Sequence, residues 1–208
     1  MRPRFAVLAL AASLAVATAA CAGDPPSGQG AGGPATTVAA PTTAATTAPP
    51  ATAEAAPETT RPAPKGLIAV AHRKPAPPLH VTDFEGRTHD LARLRGRPVV
   101  VNFFESWCVV CRTEQNDLDD VAEDFEGRVQ FLGVSNHDTV SDGREYQRQF
   151  EIPYPLANDA SGRTWAAWGV PYQPVTVVVD QRGRVAWRFA GLLEPGMLDP
   201  VLEYLVEV

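Results

Sequence analysis

The chain has 208 residues, 45% of them hydrophobic and 20% charged, enough for the core of one ordinary domain. Residues 67–208 carry 14 Lys and Arg against 21 Asp and Glu, a net charge of -7, which argues against nucleic acid as a partner. Most of the 20 prolines lie before residue 79, so the N-terminal third is not part of that core.

Residues 1–20 have the order of a signal peptide: Arg2 and Arg4, an apolar stretch from Phe5 to Ala17, then small residues up to Cys21. The apolar stretch is shorter than the roughly 20 residues a membrane-spanning helix needs. Two readings of Cys21 stand. Ala19-Ala20-Cys21 resembles the lipobox of bacterial lipoproteins, which implies a lipid anchor at Cys21 on the outer face of the cell membrane, although Thr18 stands where that motif usually has Leu. Ordinary cleavage after Ala17-Thr18-Ala19 gives a secreted protein instead. Lipidation would account for the odd thiol among the 3 cysteines of the chain.

Residues 21–66 read as a disordered tether. Between Pro34 and Thr60, 24 of 27 residues are Ala, Thr or Pro, with no aromatic residue and no apolar period, so burial cannot offset the entropy of ordering them. Proline stiffens such a stalk, and its threonines allow O-glycosylation.

The folded domain is expected over 67–208, with strand and helix signatures in alternation. Leu79-His80-Val81 reads as a short strand, Gly86-Arg87 as a turn and Asp90-Leu91 as the start of a brief helical turn. Val99 to Phe104 is almost continuously apolar and β-branched, as in a strand covered on both faces. Leu118, Val121, Ala122 and Phe125 make one stripe of a helix ending at Gly127. Val129 to Ser135 reads as a strand, Ser141 to Phe150 as a helix, Pro153 to Leu156 as a short extended piece, and Asp159 as the cap of a helix through Trp165 and Trp168. Val175 to Asp180 and Val185 to Ala190 flank the turn Gln181-Arg182-Gly183 as an antiparallel pair, and Leu198, Val201, Leu202 and Leu205 mark a final amphipathic helix. The class is α/β.

Cys108 and Cys111 fall between the Val99–Phe104 strand and the following helix. A helix N-terminus favours negative charge, so the Cys108 thiolate forms readily there, and Cys111 lies one turn on, within disulfide reach. The spacing points to redox chemistry, with Cys108 attacking a disulfide and Cys111 resolving the mixed disulfide, or the reverse. A zinc site needs four ligands, and the chain has no second Cys pair; His72, His80, His89 and His137 are not at paired spacing. A purely structural bridge gains most by closing a long loop, and this one closes almost none. No metal or other cofactor is expected.

Several separated blocks resemble the thioredoxin-like proteins of the TlpA/ResA type, which include the DsbE/CcmG cytochrome c maturation proteins. They are Val100-Val101-Asn102-Phe103-Phe104-Glu105-Ser106-Trp107-Cys108, Cys111-Arg112-Thr113-Glu114 and Gly169-Val170-Pro171-Tyr172-Gln173-Pro174-Val175-Thr176, and the resemblance spans roughly Leu79 to Leu205. It implies a thioredoxin-like fold: a central mixed β-sheet flanked by helices, with an N-terminal extension and an αβ insertion over His137 to Gly169. It also implies a thiol-disulfide oxidoreductase acting on cysteines of other exported proteins, reducing them as in cytochrome c maturation or oxidising them during folding, in exchange with a membrane thiol-disulfide carrier.

By the same resemblance Pro174 is the cis-proline that sets the backbone at Gln173 beside the sulfur for an extended substrate. Glu114 and Asn102 belong to the proton handling of Cys111, and Trp107 is a packing and docking surface. Against this, Glu114 belongs to an acidic run with Asp117, Asp119, Asp120, Glu123, Asp124 and Glu126, and such runs usually make a solvated face. Glu105 and Arg112 flank the pair as candidates for tuning its potential, and Trp165, Trp168, Tyr154 and Tyr172 either line a substrate groove or pack in the core. Val110 stands where the family usually has Pro, so the direction of electron flow does not carry over. A peroxidase of the peroxiredoxin type usually shows Pro-x-x-x-Thr-x-x-Cys, and copper-handling relatives show C-x-x-x-C with a distant His; both remain alternatives on the same fold.

Overall fold

The computed structural model describes residues 61–207. The expected signal peptide, Cys21 and the expected tether as far as residue 60 lie outside the described residues.

His80–Asp83 (β1) and Thr88–Asp90 (β2) form an antiparallel hairpin. The Asp83 carboxylate closes it by accepting the N–H groups of Glu85 (3.0 Å) and Arg87 (2.8 Å), with Gly86 in the left-handed region at φ 87°. The turn expected at Gly86-Arg87 is therefore a hairpin tip, and the expected helical turn follows as a short 3-10 turn over Leu91–Leu94.

Val99–Phe103 (β3) is buried at every position and runs into Val109–Asp124 (α1). Gln130–Ser135 (β4), Val140–Phe150 (α2), Leu156–Asn158 (β5), Arg163–Ala167 (α3), Val175–Val179 (β6), Val185–Ala190 (β7) and Asp199–Val206 (α4) complete the domain. The strands form one mixed sheet in the order β2-β1-β5-β4-β3-β6-β7, with β3, β4 and β5 parallel and the remaining pairings antiparallel. This is the thioredoxin-like α/β sandwich implied by the sequence.

Alternate residues of β3 feed two cores. Val100 joins Phe104, Leu118, Phe131, Tyr146 and Leu202 on the face that carries α1 and α4. Val99, Val101 and Phe103 join Leu132, Val177, Trp165 and Trp168 on the other. A sheet covered on both faces accounts for the unbroken apolar run of β3.

Three local expectations shift. The extended piece expected at Pro153–Leu156 becomes a strand only from Leu156, because Pro155 has no N–H for the ladder and contributes only its carbonyl, to the Gly133 N–H (3.0 Å). Asp159 is not the N-cap of α3; Gly162 at φ 66° is, while Asp159 Oδ2 accepts the Trp165 N–H at 2.9 Å from outside the helix. Residues 61–66, expected in the tether, lie against the domain: Arg61 pairs with Glu203 (2.6 Å), and the Lys65 carbonyl accepts the Trp187 Nε1–H at 3.3 Å. The following residues cover the edge of β7, where Ile68 N–H donates to Ala186 O (2.8 Å) and Val185 N–H to Lys74 O (2.9 Å). Arg73 anchors this strap through a buried ion pair with Asp180 at 3.2 Å.

Gly143, inside α2, has no room for a side chain: a Cβ there would lie 2.1 Å from Phe84 Cε2 and Cζ, and Phe84 is itself core. Gly143→Ala gains about 1 kcal/mol of helix propensity but forces overpacking that typically costs about 1–3 kcal/mol. The expected result is a lower urea midpoint; an unchanged or higher one would mean that the ring yields.

Candidate active site

The chain leaves the C-terminal end of β3 through a tight turn whose closing bond runs from the Cys108 N–H to the Glu105 carbonyl at 3.0 Å. Cys108 is then the N-cap of α1, and its Sγ accepts the Cys111 N–H at 3.1 Å. One of the unpaired donors of the helix start is thus aimed at the sulfur that would carry charge after reduction. Cys108 and Cys111 are joined by a disulfide, with Cα atoms 5.3 Å apart. Cys108 keeps 7% of its surface exposed and Cys111 1%, whereas Trp107, Val109 and Val110 around them are exposed. In the disulfide state both sulfur-bearing residues are therefore nearly buried.

Glu114 is 1% exposed and does not belong to a solvated face. Its Oε1 accepts Asn102 Nδ2–H (3.2 Å) and its Oε2 the Leu193 N–H (2.7 Å). Asn102 also donates to Thr176 Oγ1 (3.1 Å), so β3, β6, α1 and the loop after β7 meet at this carboxyl. Burial pushes the Glu114 carboxyl up to about 7, against the opposing hydrogen bonds from Leu193 and Asn102. It lies three positions after Cys111, which puts both on one helix face.

Pro174 follows a cis peptide bond from Gln173. Val175, the next residue, pairs with Phe103 at the end of β3 from which the Cys108 turn departs, so register alone brings Gln173 and Pro174 to the redox end of the sheet. Tyr172 is exposed beside them, whereas Trp165 and Trp168 pack on Phe103 and Tyr154 packs on Phe131. Three of the four aromatic residues considered for a groove are core. Arg112 donates to the Ser106 carbonyl (3.0 Å) and Gln149 Oε1 (2.6 Å) and lies over the Phe150 ring.

Asp119 was hidden in the acidic run. Its Oδ1 accepts Gln115 Nε2–H (2.7 Å), Gln115 also donates to Tyr154 Oη (2.7 Å), and Tyr146 Oη–H donates to Gln115 Oε1 (2.9 Å). Burial lifts its carboxyl to about 7, helped by Asp120 and Glu123 and opposed by the Gln115 bond. The signal was the spacing Cys111, Gln115, Asp119: positions four apart continue the buried stripe of α1. Among the described residues no three His, Cys, Asp or Glu side chains are gathered as a metal site needs.

The sequence model of the AhpC/TSA family matches residues 72–188. The thiol:disulfide interchange protein DsbE of Xylella fastidiosa is 33% identical over 132 residues, covering 61% of this chain and 64% of the relative. The thiol-disulfide oxidoreductase ResA of Geobacillus thermodenitrificans is 29% identical over 118 residues, covering 56% and 68%. Among solved structures, a secreted Mycobacterium tuberculosis disulfide oxidoreductase homologous to E. coli DsbE superposes with a TM-score of 0.54 at 25% identity, covering 62% of this chain and 96% of that one. The match therefore spans somewhat less than two thirds of the DsbE relative's own length. With a family match over more than half its length and a Cys pair heading α1 of a thioredoxin fold, the chain belongs to the AhpC/TSA family, among its DsbE/ResA/TlpA-like thioredoxin-fold proteins.

Proposed function

We propose that the protein is an exported thiol-disulfide oxidoreductase that exchanges the Cys108–Cys111 disulfide with cysteines of other extracytoplasmic proteins. The observation that carries the reading is the disulfide at the head of α1, with the Cys111 N–H on Cys108 Sγ. In the reducing direction the Cys108 thiolate attacks a substrate disulfide, forming a mixed disulfide and releasing one substrate thiolate. Cys111, losing its proton to the Glu114 carboxylate, then attacks Cys108 Sγ, releases the second substrate thiolate and re-forms the Cys108–Cys111 bond. Two electrons pass from the protein to the substrate, the Cys111 proton is left on Glu114, and the two substrate thiolates take up protons from solvent; the oxidising direction is the reverse. A carboxyl near 7 is suited to this proton transfer at neutral pH. Gln173 and Pro174 offer backbone for a substrate strand, and Trp107 is its docking surface.

Export follows from the signal peptide of residues 1–20. Cys21 attaches the chain to the membrane surface, and the tether gives the domain reach toward its two partners, exported Cys-containing proteins and a membrane thiol-disulfide carrier. The name of one relative, a secreted disulfide oxidoreductase, supports export. The AhpC/TSA match favours a second reading, peroxide reduction at Cys108. The block Phe104-Glu105-Ser106-Trp107 before Cys108, in place of Pro-x-x-x-Thr, speaks against it.

The test is catalysis by the full chain. Insulin reduction or reactivation of scrambled ribonuclease is expected, with no peroxide consumption above a Cys-free control and no tight copper binding. Peroxide turnover without disulfide exchange would overturn the reading in favour of the second.

A further inference from the structure

Arg188, an exposed residue of β7, pairs with no carboxylate among the described residues. Its polar partners are two successive backbone carbonyls: Nη1–H donates to Trp168 O (3.0 Å) and Nη2–H to Gly169 O (2.8 Å). The register partner of Arg188 on β6 is Val177, so the side chain lies on the sheet face that carries Trp165 and Trp168, while Trp187 and Phe189 on either side of it turn to the other face. The planar fork of a guanidinium spans two neighbouring acceptors, which the single head of a lysine does not.

Those two carbonyls open the loop that ends at the cis Gln173–Pro174 bond. The end of α3 is closed by Gly169 in the left-handed region (φ 60°), with the Gly169 N–H on Ala166 O (3.1 Å) and the Val170 N–H on Trp165 O (2.9 Å), and the Trp165 and Val170 side chains share one core. That motif uses the N–H groups of the loop and leaves its first carbonyls to Arg188. At the other end Pro174 O accepts the Gly191 N–H (2.9 Å). Between these anchors the Gln173 N–H and C=O have no partner among the described residues. The loop is fixed at both ends and open in the middle.

Resting on the oxidoreductase reading, we propose that Arg188 is a positioning residue for polypeptide substrates. By holding the Trp168 and Gly169 carbonyls it keeps the Gln173 backbone in one place at the redox end of the sheet, ready to pair with the backbone that flanks a substrate cysteine. The cost of ordering the loop is then met in the free protein and not on binding. No step at sulfur passes through Arg188. It sets how tightly an extended chain is held while Cys108 exchanges, and a disulfide without a peptide backbone gains nothing from it.

In the test, the reduced full chain is mixed with increasing insulin, or with bis(2-hydroxyethyl) disulfide, which has no backbone to pair. Formation of the Cys108–Cys111 disulfide is followed by quenching and thiol alkylation. For Arg188→Met the insulin concentration at half-saturation should rise about fivefold while the limiting rate stays within about twofold, and the preference for insulin over the small disulfide should fall accordingly. Arg188→Lys, with the charge but not the fork, should fall between Arg188→Met and the wild type, and it carries the same comparison if Arg188→Met does not fold. An arginine that merely closes α3 would lower the urea midpoint and leave the preference in place. Equal losses on both disulfides, or an insulin half-saturation that a folded variant leaves unmoved, would overturn the proposal. A wild type that exchanges with neither disulfide would instead sink the oxidoreductase reading, and this proposal with it.

Discussion

Cys108→Ser is expected to reduce disulfide exchange to background, a loss of at least about a thousandfold, whereas Cys111→Ser should attack once and stop as a mixed disulfide. The asymmetry comes from position. Cys108 caps α1 between the exposed side chains of Trp107 and Val109, and a backbone N–H is directed at its sulfur. Cys111 lies one turn inside, 1% exposed, where an incoming substrate sulfur meets Cys108 first. Non-reducing electrophoresis of each variant after mixing with a disulfide-bonded substrate separates the two outcomes. A substrate adduct that accumulates on Cys111 in the Cys108→Ser protein would exchange the two roles.

How far this was legible in the sequence depends on the range over which each signal acts. β3 announced itself because a strand buried on both faces must be apolar at every residue, and α1 because a stripe four residues wide is a local pattern. The Cys pair needed only its spacing and its place at a strand-to-helix junction. Contacts between distant segments left no such trace. Nothing local in Glu105 foretells that the backbone of Asn136 and His137 will satisfy it, or that Asp138 will hold Ser106. Asp119 was masked differently, by six acidic neighbours that make its helix read as solvated although it sits on the inward stripe with Gln115. The strap over β7 was obscured by composition, since Pro62, Pro64 and Lys65 continue the tether in character while packing on the domain.

The two buried acids of α1 should give the oxidised protein a stability that falls as pH rises. Glu114 goes from an ordinary 4.5 to about 7 and Asp119 from 3.8 to about 7, both chiefly through burial. Between those values the folded state binds more protons than the unfolded one, so the unfolding free energy decreases with increasing pH. The loss begins near the unfolded values and is complete above about 7, on the order of 3 kcal/mol for each group. Asp83 and Asp180 act in the opposite sense. Burial opposes their ionisation, but hydrogen bonds from His89 and Arg87, and from Arg184 and Arg73, hold both carboxyls below their usual value, so the stability they add is lost as pH falls through the acid range. The stability maximum is therefore expected near pH 4, and urea midpoints of the oxidised full chain should drop between pH 5 and pH 8. Glu114→Gln and Asp119→Asn should each flatten that slope, and a wild-type midpoint that is level or rising over this range would refute the assignment. The same pair of variants separates burial from chemistry. If Glu114 takes the proton of Cys111, Glu114→Gln shifts the pH profile of exchange and Asp119→Asn, about two turns along α1 from Cys111, leaves it in place.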